Sequence, residues 1–176
     1  RECPVKAIKI INGQAEVIAS RCIGCGNCTR VCSQNAKIFL DTTEEARDTL
    51  AGNAVKVACL APSFPAEFDE IDDYKILVGM IRKLGFDYVI EVAFGADLVA
   101  HEYDKNLNEH NHKYKISSDC PAVVYYVKHY YPDMVPYLAP AVSPMVATVR
   151  VARELYGAQC KTVFIGPCIA KKAESH

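Results

Sequence analysis

The feature that most constrains this sequence is a run of four cysteines with the spacing C-x2-C-x2-C-x3-C, beginning at position 22. This is the bacterial iron–sulfur spacing, in which thiolates on a tight turn bind the corners of a cubane cluster. Gly24 and Gly26 lie between the first three cysteines. Glycine permits backbone angles that bring amide N–H groups close to the sulfides. The run therefore predicts a small module built around a [4Fe–4S] cluster.

A further cysteine near the start of the chain supplies the missing ligand. Cys3 is followed by proline, as is typical of the last cysteine of an earlier run of the same kind. In two-cluster ferredoxins the last cysteine of each run binds the other cluster, so we predict that Cys3 completes the cluster of Cys22, Cys25 and Cys28. Cys32 would then serve a second cluster, whose other ligands would precede residue 1. Zinc is the main alternative, because C-x2-C pairs also bind zinc, but the triple run favours iron–sulfur.

Composition narrows the class of protein. The chain has 176 residues, enough for one ordinary domain and a small module, and 51% of them are hydrophobic. A formal net charge of −1 gives no indication of nucleic acid or an anionic membrane as a partner. No apolar run is long enough to cross a bilayer, and no signal peptide is visible. Nine cysteines, five of them in cluster spacing, fit a reducing cytoplasm better than a secreted disulfide framework.

Residues 1–40 are predicted to form the small module, which is incomplete at its N-terminus. Two short apolar runs, residues 7–11 and 15–18, flank the dipeptide Asn12-Gly13. Asn-Gly between apolar runs is the strongest short signal for a β-hairpin. With the two cysteine runs, this segment resembles a bacterial two-cluster ferredoxin. Ser33 departs from that family, which usually has proline after the last cysteine.

From residue 54 the pattern changes to short apolar runs alternating with amphipathic segments. This alternation predicts an α/β domain with a mainly parallel sheet, in which ligands bind at loops after the carboxyl ends of strands. The predicted loops of that kind are residues 61–63, 118–121 and 166–171. Predicted strands cover residues 55–60, 88–92, 114–117 and 162–165, and predicted helices cover residues 41–52, 72–84, 96–106, 121–131 and 144–156.

Those loops carry motifs that resemble the catalytic (H-cluster) domain of [FeFe]-hydrogenases. The resemblance covers residues 54–176 and implies a chain with a ferredoxin-like module at 1–40, a linker with a short helix at 41–53 and part of the H-cluster domain. It also implies that the sequence is truncated at both ends relative to the family. The matching segments are Ala61-Pro62-Ser63, residues 94–98, residues 118–121, Tyr131-Pro132, Ser143-Pro144, and Pro167-Cys168 with Ala170, Lys171, Lys172 and Glu174.

The resemblance implies roles for several residues. In the family, four cysteines hold a [4Fe–4S] cubane, and one of them bridges to a two-iron unit bearing CO, cyanide and a dithiolate. By position, Cys120 and Cys168 would be two of the cubane ligands, although lone cysteines are more often buried thiols. Lys171 would donate to an iron-bound cyanide, and Ala61, Pro62 and Ser63 would line the two-iron pocket. The other two ligands lie C-terminal to this sequence in the family, so the fragment should be inactive.

The departures from the family concern its proton path. Catalytic members have a second cysteine where this chain has Asp119, a serine at the position of Ala139 and a glutamate at that of Asn106. Only Glu174 matches that path. Asp119 is expected either to relay protons or to cap the helix that follows it. This pattern is more similar to sensory members of the family than to fast hydrogenases.

Three functional hypotheses follow. In the first, the module relays electrons to the H-cluster domain, and the protein has a sensory or slow redox role in the cytoplasm, with a redox partner protein and a signalling module elsewhere in the chain. In the second, it is a catalytic hydrogenase with Asp119 as proton donor. In the third, it is an electron carrier or scaffold with cubane clusters only.

Some cysteines and histidines lie outside any motif. Cys59 and Cys160 are predicted to be buried core thiols. The segment His110-Asn111-His112 is predicted to be a solvated loop instead of a metal site.

Overall fold

A computed structural model describes residues 2–68, 70–109 and 116–175. Its chain forms two compact units that are discontinuous in sequence. Each unit is built from several separate segments, whereas the sequence predicts consecutive domains; that division into domains stays a prediction. The first unit contains residues 1–40, 112–140 and 168–176, and the second contains residues 41–111 and 141–167.

Five strands and six α-helices occur among the described residues. The strands are β1 (Ile8–Ile11), β2 (Gln14–Val17), β3 (Lys56–Leu60), β4 (Tyr88–Glu91) and β5 (Lys161–Ile165). The helices are α1 (Asn27–Arg30), α2 (Thr43–Ala51), α3 (Tyr74–Lys83), α4 (Val92–Glu109), α5 (Pro121–Tyr130) and α6 (Pro144–Tyr156), and 3-10 turns cover Phe64–Ala66, Pro132–Tyr137 and Ile169–Ala173.

The predicted hairpin is confirmed in the first unit. Strands β1 and β2 pair antiparallel, with Ile11 opposite Gln14 on either side of a two-residue turn. Asn12 and Gly13 both have positive φ, 51° and 78°. Two successive positive φ angles define a type I′ turn, whose twist matches that of the flanking strands. The Asn-Gly dipeptide thus sets the register locally.

The second unit contains the predicted parallel sheet. Its strands lie in the order β4-β3-β5, and both pairings are parallel. In the central strand, Val57, Ala58 and Cys59 are fully buried. A parallel strand covered on both faces is expected to be apolar, as this one is from Val57 to Leu60. The α/β fold class predicted from strand–helix alternation is therefore confirmed.

Helix α3 covers one face of this sheet. Its buried residues Leu77 and Ile81 pack in one cluster with Leu60 of β3 and with Phe86. Asp73 begins the helix, and its carboxylate accepts a hydrogen bond of 2.9 Å from the Lys75 amide. The apolar spacing and the N-cap both agree with the helix predicted at 72–84.

Helix α4 differs from its prediction. It begins at Val92, directly after β4, and runs to Glu109, whereas the sequence predicted residues 96–106. Val92 is buried against the sheet, and no proline separates strand from helix, so the apolar run passes from one to the other. Position 95, inside this helix, requires glycine, because a Cβ there would overlap the Thr148 hydroxyl and the Pro144 carbonyl oxygen.

The strand predicted at residues 114–117 is not formed in the described part of that segment. Ile116 makes a single parallel bridge to Leu138, and Ser117 is outside any strand. Residues 114 and 115, like residues 110–112, lie outside the described residues.

Within the described ranges, none of the helices combines the length and the apolar character that crossing a bilayer requires.

Candidate iron–sulfur site

The cysteine run lies on a turn whose backbone depends on two glycines. Gly24 and Gly26 have φ angles of 67° and 73°, in the left-handed region that glycine adopts without strain. Gly26 precedes the short helix α1, which carries Cys28. The chain therefore turns sharply at each of the two short intervals between cysteines.

Backbone amides point at two of the predicted ligand sulfurs. The Ala7 N–H donates to Cys3 Sγ at 3.2 Å, and the Gly24 N–H donates to Cys22 Sγ at 3.4 Å. Amide N–H groups that donate to ligand sulfurs tune the potential of a bound cluster. All nine cysteines are free thiols. No disulfide therefore occupies the sulfurs that the sequence predicts as cluster ligands.

A cavity of about 680 Å³ opens beside the module. Cys3, Cys28 and Cys32 line it, together with apolar residues and two lysines. The Ala36 N–H donates to Cys32 Sγ at 3.3 Å. Donation from the Ala36 and Gln34 amides lowers the pKa of the half-buried Cys32 thiol, and this favours its thiolate. These three cysteines, one from the earlier run and two from the later run, thus line one cavity.

Contacts between distant segments hold the module together. The Ile18 N–H donates to the Ala7 carbonyl at 2.7 Å, and the Asn27 side-chain amide donates to the Glu2 carbonyl at 2.8 Å. The second bond joins the helix that carries Cys28 to the segment that carries Cys3. The buried core of the module is small, and it consists of Val5, Ala7 and Ile23.

Cys120 and Cys168 lie in the same compact unit as this module. Both are exposed, Cys120 at the start of α5 and Cys168 immediately before the 3-10 turn Ile169–Ala173. Lys171 on that turn donates to the Asp119 carbonyl at 2.8 Å, next to Cys120, and the ammonium also pairs with Glu174 at 2.7 Å. The Lys171 side chain is only 13% exposed, so both contacts are sheltered from water. The lysine thus joins the two cysteine segments.

The predicted proton-path residues have defined partners. The Asp119 carboxylate accepts a hydrogen bond of 2.8 Å from the Ser117 hydroxyl, and Cys120, not Asp119, occupies the N-cap position of α5. In the second unit, the buried Asn106 amide donates to the backbone carbonyl and to the carboxylate of Glu102, at 2.8 and 2.9 Å. Ala139 is a buried methyl group.

The loop of Ala61, Pro62 and Ser63 follows the central strand of the second unit. The Ala61 N–H donates to the Ile165 carbonyl at 2.9 Å, so this loop begins beside the end of β5. A Cβ at Gly166 would lie 2.7 Å from the Ala61 Cβ, so glycine is required at this approach. Ala61 is buried, whereas Pro62 and Ser63 are exposed. The prediction that loops 61–63 and 166–171 start at the same sheet edge agrees with this arrangement.

Two cysteines belong to the core, as predicted. Cys59 and Cys160 are both buried. Burial, with a smaller contribution from neighbouring Cys160, raises the pKa of Cys59 to about 11, so this thiol is neutral near pH 7.

The donor set fits a cubane in its chemistry. Thiols in bacterial cluster spacing, amide donors to Sγ and left-handed glycines between the ligands are the features that such clusters need. Across residues 2–68, 70–109 and 116–175, no three His, Cys, Asp or Glu side chains gather closely enough to hold a single metal ion. A cubane is larger than an ion, and each of its ligands binds a separate iron atom.

One residue at the site was not identified from sequence. Tyr130 at the end of α5 donates its hydroxyl to the Val5 and Arg21 carbonyls, at 3.1 and 3.0 Å. In the sequence it is one of several tyrosines at helical spacing, a pattern that indicates packing. Its partners lie more than a hundred residues away along the chain, and no local pattern reports such a contact.

The spacing of the cysteines and the amide groups that donate to their sulfurs indicate the class of protein, an iron–sulfur protein. Residues 54–176 match the family described as "Iron only hydrogenase large subunit, C-terminal domain", and residues 15–38 match the 4Fe-4S binding domain. The chain belongs to the iron-only, or [FeFe], hydrogenase family.

The known proteins to which this chain is similar are described with different functions. The NADP-reducing hydrogenase subunit HndD of Solidesulfovibrio fructosivorans is 29% identical over 87% of this chain and 30% of its own length. The cytosolic Fe-S cluster assembly factor NAR1 of Yarrowia lipolytica is 25% identical over 92% of this chain and 37% of its own. A solved structure from work on stepwise [FeFe]-hydrogenase H-cluster assembly, HydA(deltaEFG), is 27% identical, covers 77% of this chain and 40% of its own, and has a TM-score of 0.63. The chain thus spans about a third of the length of these curated relatives.

Proposed function

We propose that this protein is an iron–sulfur redox protein of the [FeFe]-hydrogenase type, in which the module relays electrons to the H-cluster domain in a sensory or slow hydrogen-converting role. Cys3, Cys22, Cys25 and Cys28 hold the first cluster. Cys32 serves a second cluster of the module, and Cys120 and Cys168 supply half the ligands of the H-cluster cubane. The two-iron unit, a redox partner protein and a signalling module belong to the full-length matured protein.

The observation that carries this proposal is a close contact between the two cysteine-bearing regions. Gly26 lies between Cys25 and Cys28, and Ile169 directly follows Cys168. A Cβ added at Gly26 would lie only 2.6 Å from Ile169 Cδ1, so the Ile169 side chain packs directly against the backbone of Gly26. Electron transfer between clusters requires such proximity of their ligand loops. The contact therefore supports a relay from the module to the second cubane.

The residues of this chain would bind the clusters and adjust their reduction potential. When bound, a [4Fe–4S] cluster supplies a one-electron carrier whose potential depends on hydrogen bonds to its sulfurs and on solvent exposure. The Ala7 and Gly24 amides donate to two of the ligand sulfurs. Lys171 places a sheltered positive charge beside the Cys120 and Cys168 segments, where thiolate ligands bring negative charge.

The residues on the predicted proton path favour a slow or sensory role. Asn106 carries an amide, which does not titrate, where catalytic members have a carboxylate. Glu174 is ion-paired with Lys171, and Asp119 replaces the thiol of catalytic members. Proton transfer requires a group that can gain and lose a proton near the working pH. This chain has fewer such groups on the path.

Cluster ligation is tested by anaerobic reconstitution of the chain with ferrous iron and sulfide. We expect about four irons and a matching amount of sulfide per chain, which is one cubane. Cys25→Ser should lose most of that iron, whereas Cys160→Ala, which removes a core thiol, should keep it. Wild-type iron content in Cys25→Ser would refute ligation by the module. One zinc without sulfide would support the zinc alternative instead.

The role is tested by hydrogen turnover in the full-length protein matured with its two-iron unit. We expect slow turnover that increases in Asp119→Cys, because this variant restores the thiol of catalytic members. Asp119→Asn is the matched control, and its turnover should stay slow. Fast wild-type turnover that Asp119→Asn abolishes would contradict the sensory proposal and favour the catalytic alternative.

A second candidate is an electron carrier or scaffold with cubane clusters only. It is favoured by a relative that matches 92% of this chain at 25% identity and is named as a cytosolic Fe-S cluster assembly factor. Infrared spectra of the matured full-length protein separate the two candidates. Carbonyl and cyanide bands support the hydrogenase-type function, whereas their absence, with cubanes present, supports the scaffold.

A further inference from the structure

We propose that Tyr130 is a positioning residue that holds the Cys3 and Cys22 segments at the separation a cubane requires. The inference rests on the proposed ligation by the module and adds a residue that no cysteine motif indicates. Tyr130 lies at the end of α5, the helix that begins directly after Cys120. Its hydroxyl is 3.1 Å from the Val5 carbonyl oxygen and 3.0 Å from the Arg21 carbonyl oxygen.

The two acceptors belong to the two separate cysteine runs. Val5 lies two residues after Cys3, and the Arg21 carbonyl belongs to the peptide bond that leads into Cys22. A phenol has one hydrogen, so the two carbonyls share a single donor. Sharing requires both oxygens to stay within reach of the same hydroxyl. Tyr130 therefore restrains the distance between the two segments, and not only the position of each.

The aromatic ring strengthens this restraint. Tyr130, Tyr125 and Ala122 of α5 pack on the cluster formed by Val5, Ala7 and Ile23. Cys3 and Cys22 pack on the same cluster, so the ring and both ligand segments share one small apolar core. Because the core of the module is small, a few contacts decide how firmly it is held. The hydroxyl contributes polar contacts and the ring contributes apolar ones.

The restraint extends to the ligand sulfurs through the backbone. The Ala7 and Gly24 amides that donate to Cys3 and Cys22 Sγ each lie within three residues of a carbonyl bound by Tyr130. When the carbonyls are released, these peptide planes gain freedom and the N–H to sulfur bonds lengthen. Such bonds stabilise the reduced cluster, because reduction adds a negative charge. Loss of the hydroxyl should therefore lower the potential and speed the release of iron.

The test compares Tyr130→Phe with Tyr126→Phe in the reconstituted chain. Phenylalanine keeps the ring in both variants, so only a hydroxyl is lost. Tyr126 is the matched control, because it lies one turn earlier on α5 and its hydroxyl bonds to Tyr131. The measurements are the rate of iron release to a chelator and the midpoint potential of the cluster, with circular dichroism to verify that secondary structure is kept.

In Tyr130→Phe we expect iron release about tenfold faster than in wild type and a more negative midpoint potential, whereas Tyr126→Phe should match wild type in both. Unchanged release and potential in Tyr130→Phe would overturn the positioning role while leaving the proposed function standing. Equal changes in the two variants would overturn it as well, because they would show a general effect on α5. A wild-type chain that assembles no cubane would remove both proposals.

Discussion

Substitution of Gly26 by alanine tests the contact on which the proposed relay depends. The change has two costs. Gly26 has a φ of 73°, and a left-handed backbone costs a residue with a Cβ about 1–2 kcal/mol. The new Cβ would also lie 2.6 Å from Ile169 Cδ1 and 3.1 Å from its Cβ, and such overpacking costs about 1–3 kcal/mol. We therefore expect Gly26→Ala to lower the free energy of unfolding by about 2–5 kcal/mol.

Gly24→Ala separates the two costs. Gly24 has nearly the same φ, 67°, but nothing lies within 4 Å of the position its Cβ would take. This control should lose only the backbone part, about 1–2 kcal/mol. The measurement is urea unfolding of the reconstituted chain, with both variants and wild type under the same conditions. The difference in free energy of unfolding between the two variants is then the cost of the overlap between the new Cβ and Ile169.

Ile169→Val completes the design, because it removes the nearest carbon atom. Combined with Gly26→Ala, it should restore about 1 kcal/mol or more relative to the sum of the single changes. Combined with Gly24→Ala, it should simply add. The reasoning fails if Gly26→Ala and Gly24→Ala are equally destabilised and neither responds to Ile169→Val. That result would place Ile169 away from the cysteine turn and remove the contact that supports the relay.

Two further predictions concern the second unit. Gly95→Ala should lower the free energy of unfolding, measured in urea, by about 2–3 kcal/mol, because its Cβ would overlap Thr148 and a neighbouring carbonyl. Gly79→Ala is the control: nothing lies within 4 Å of the new Cβ, so it should raise the free energy of unfolding by about 0.5–1 kcal/mol. Equal effects in the two variants would contradict the tight packing of α4 on α6. Burial raises the pKa of Cys59 from 9.0 to about 11, so the folded state keeps the proton more strongly than the unfolded state. The resulting contribution to the free energy of unfolding, about 2–3 kcal/mol, should be fully present below pH 9 and lost as the pH rises to 11. Urea unfolding at a series of pH values would refute this if the free energy of unfolding fell equally steeply in wild type and in Cys59→Ala.

Much of the local structure could be predicted because its causes lie within a few residues. Asn12 and Gly13 supply two positive φ angles between apolar runs, and this determines both the turn and the strand register. Asp73 and the apolar positions behind it specify α3 in the same way. By contrast, the start of α4 at Val92 was predicted four residues late. The apolar residues there suit a strand and a helix equally, and only packing against the sheet decides between them.

For the cluster site, the cysteine spacing alone indicates an iron–sulfur protein, because ligation geometry restricts which thiols on one turn can share a cluster. The family motifs added the roles expected of Cys120, Cys168 and Lys171. Only the tertiary structure shows that Tyr130 reaches the carbonyls beside Cys3 and Cys22 and that Gly26 meets Ile169. These contacts join residues more than a hundred positions apart. A local pattern carries no information about them, because they exist only once the chain has folded and distant backbones approach each other.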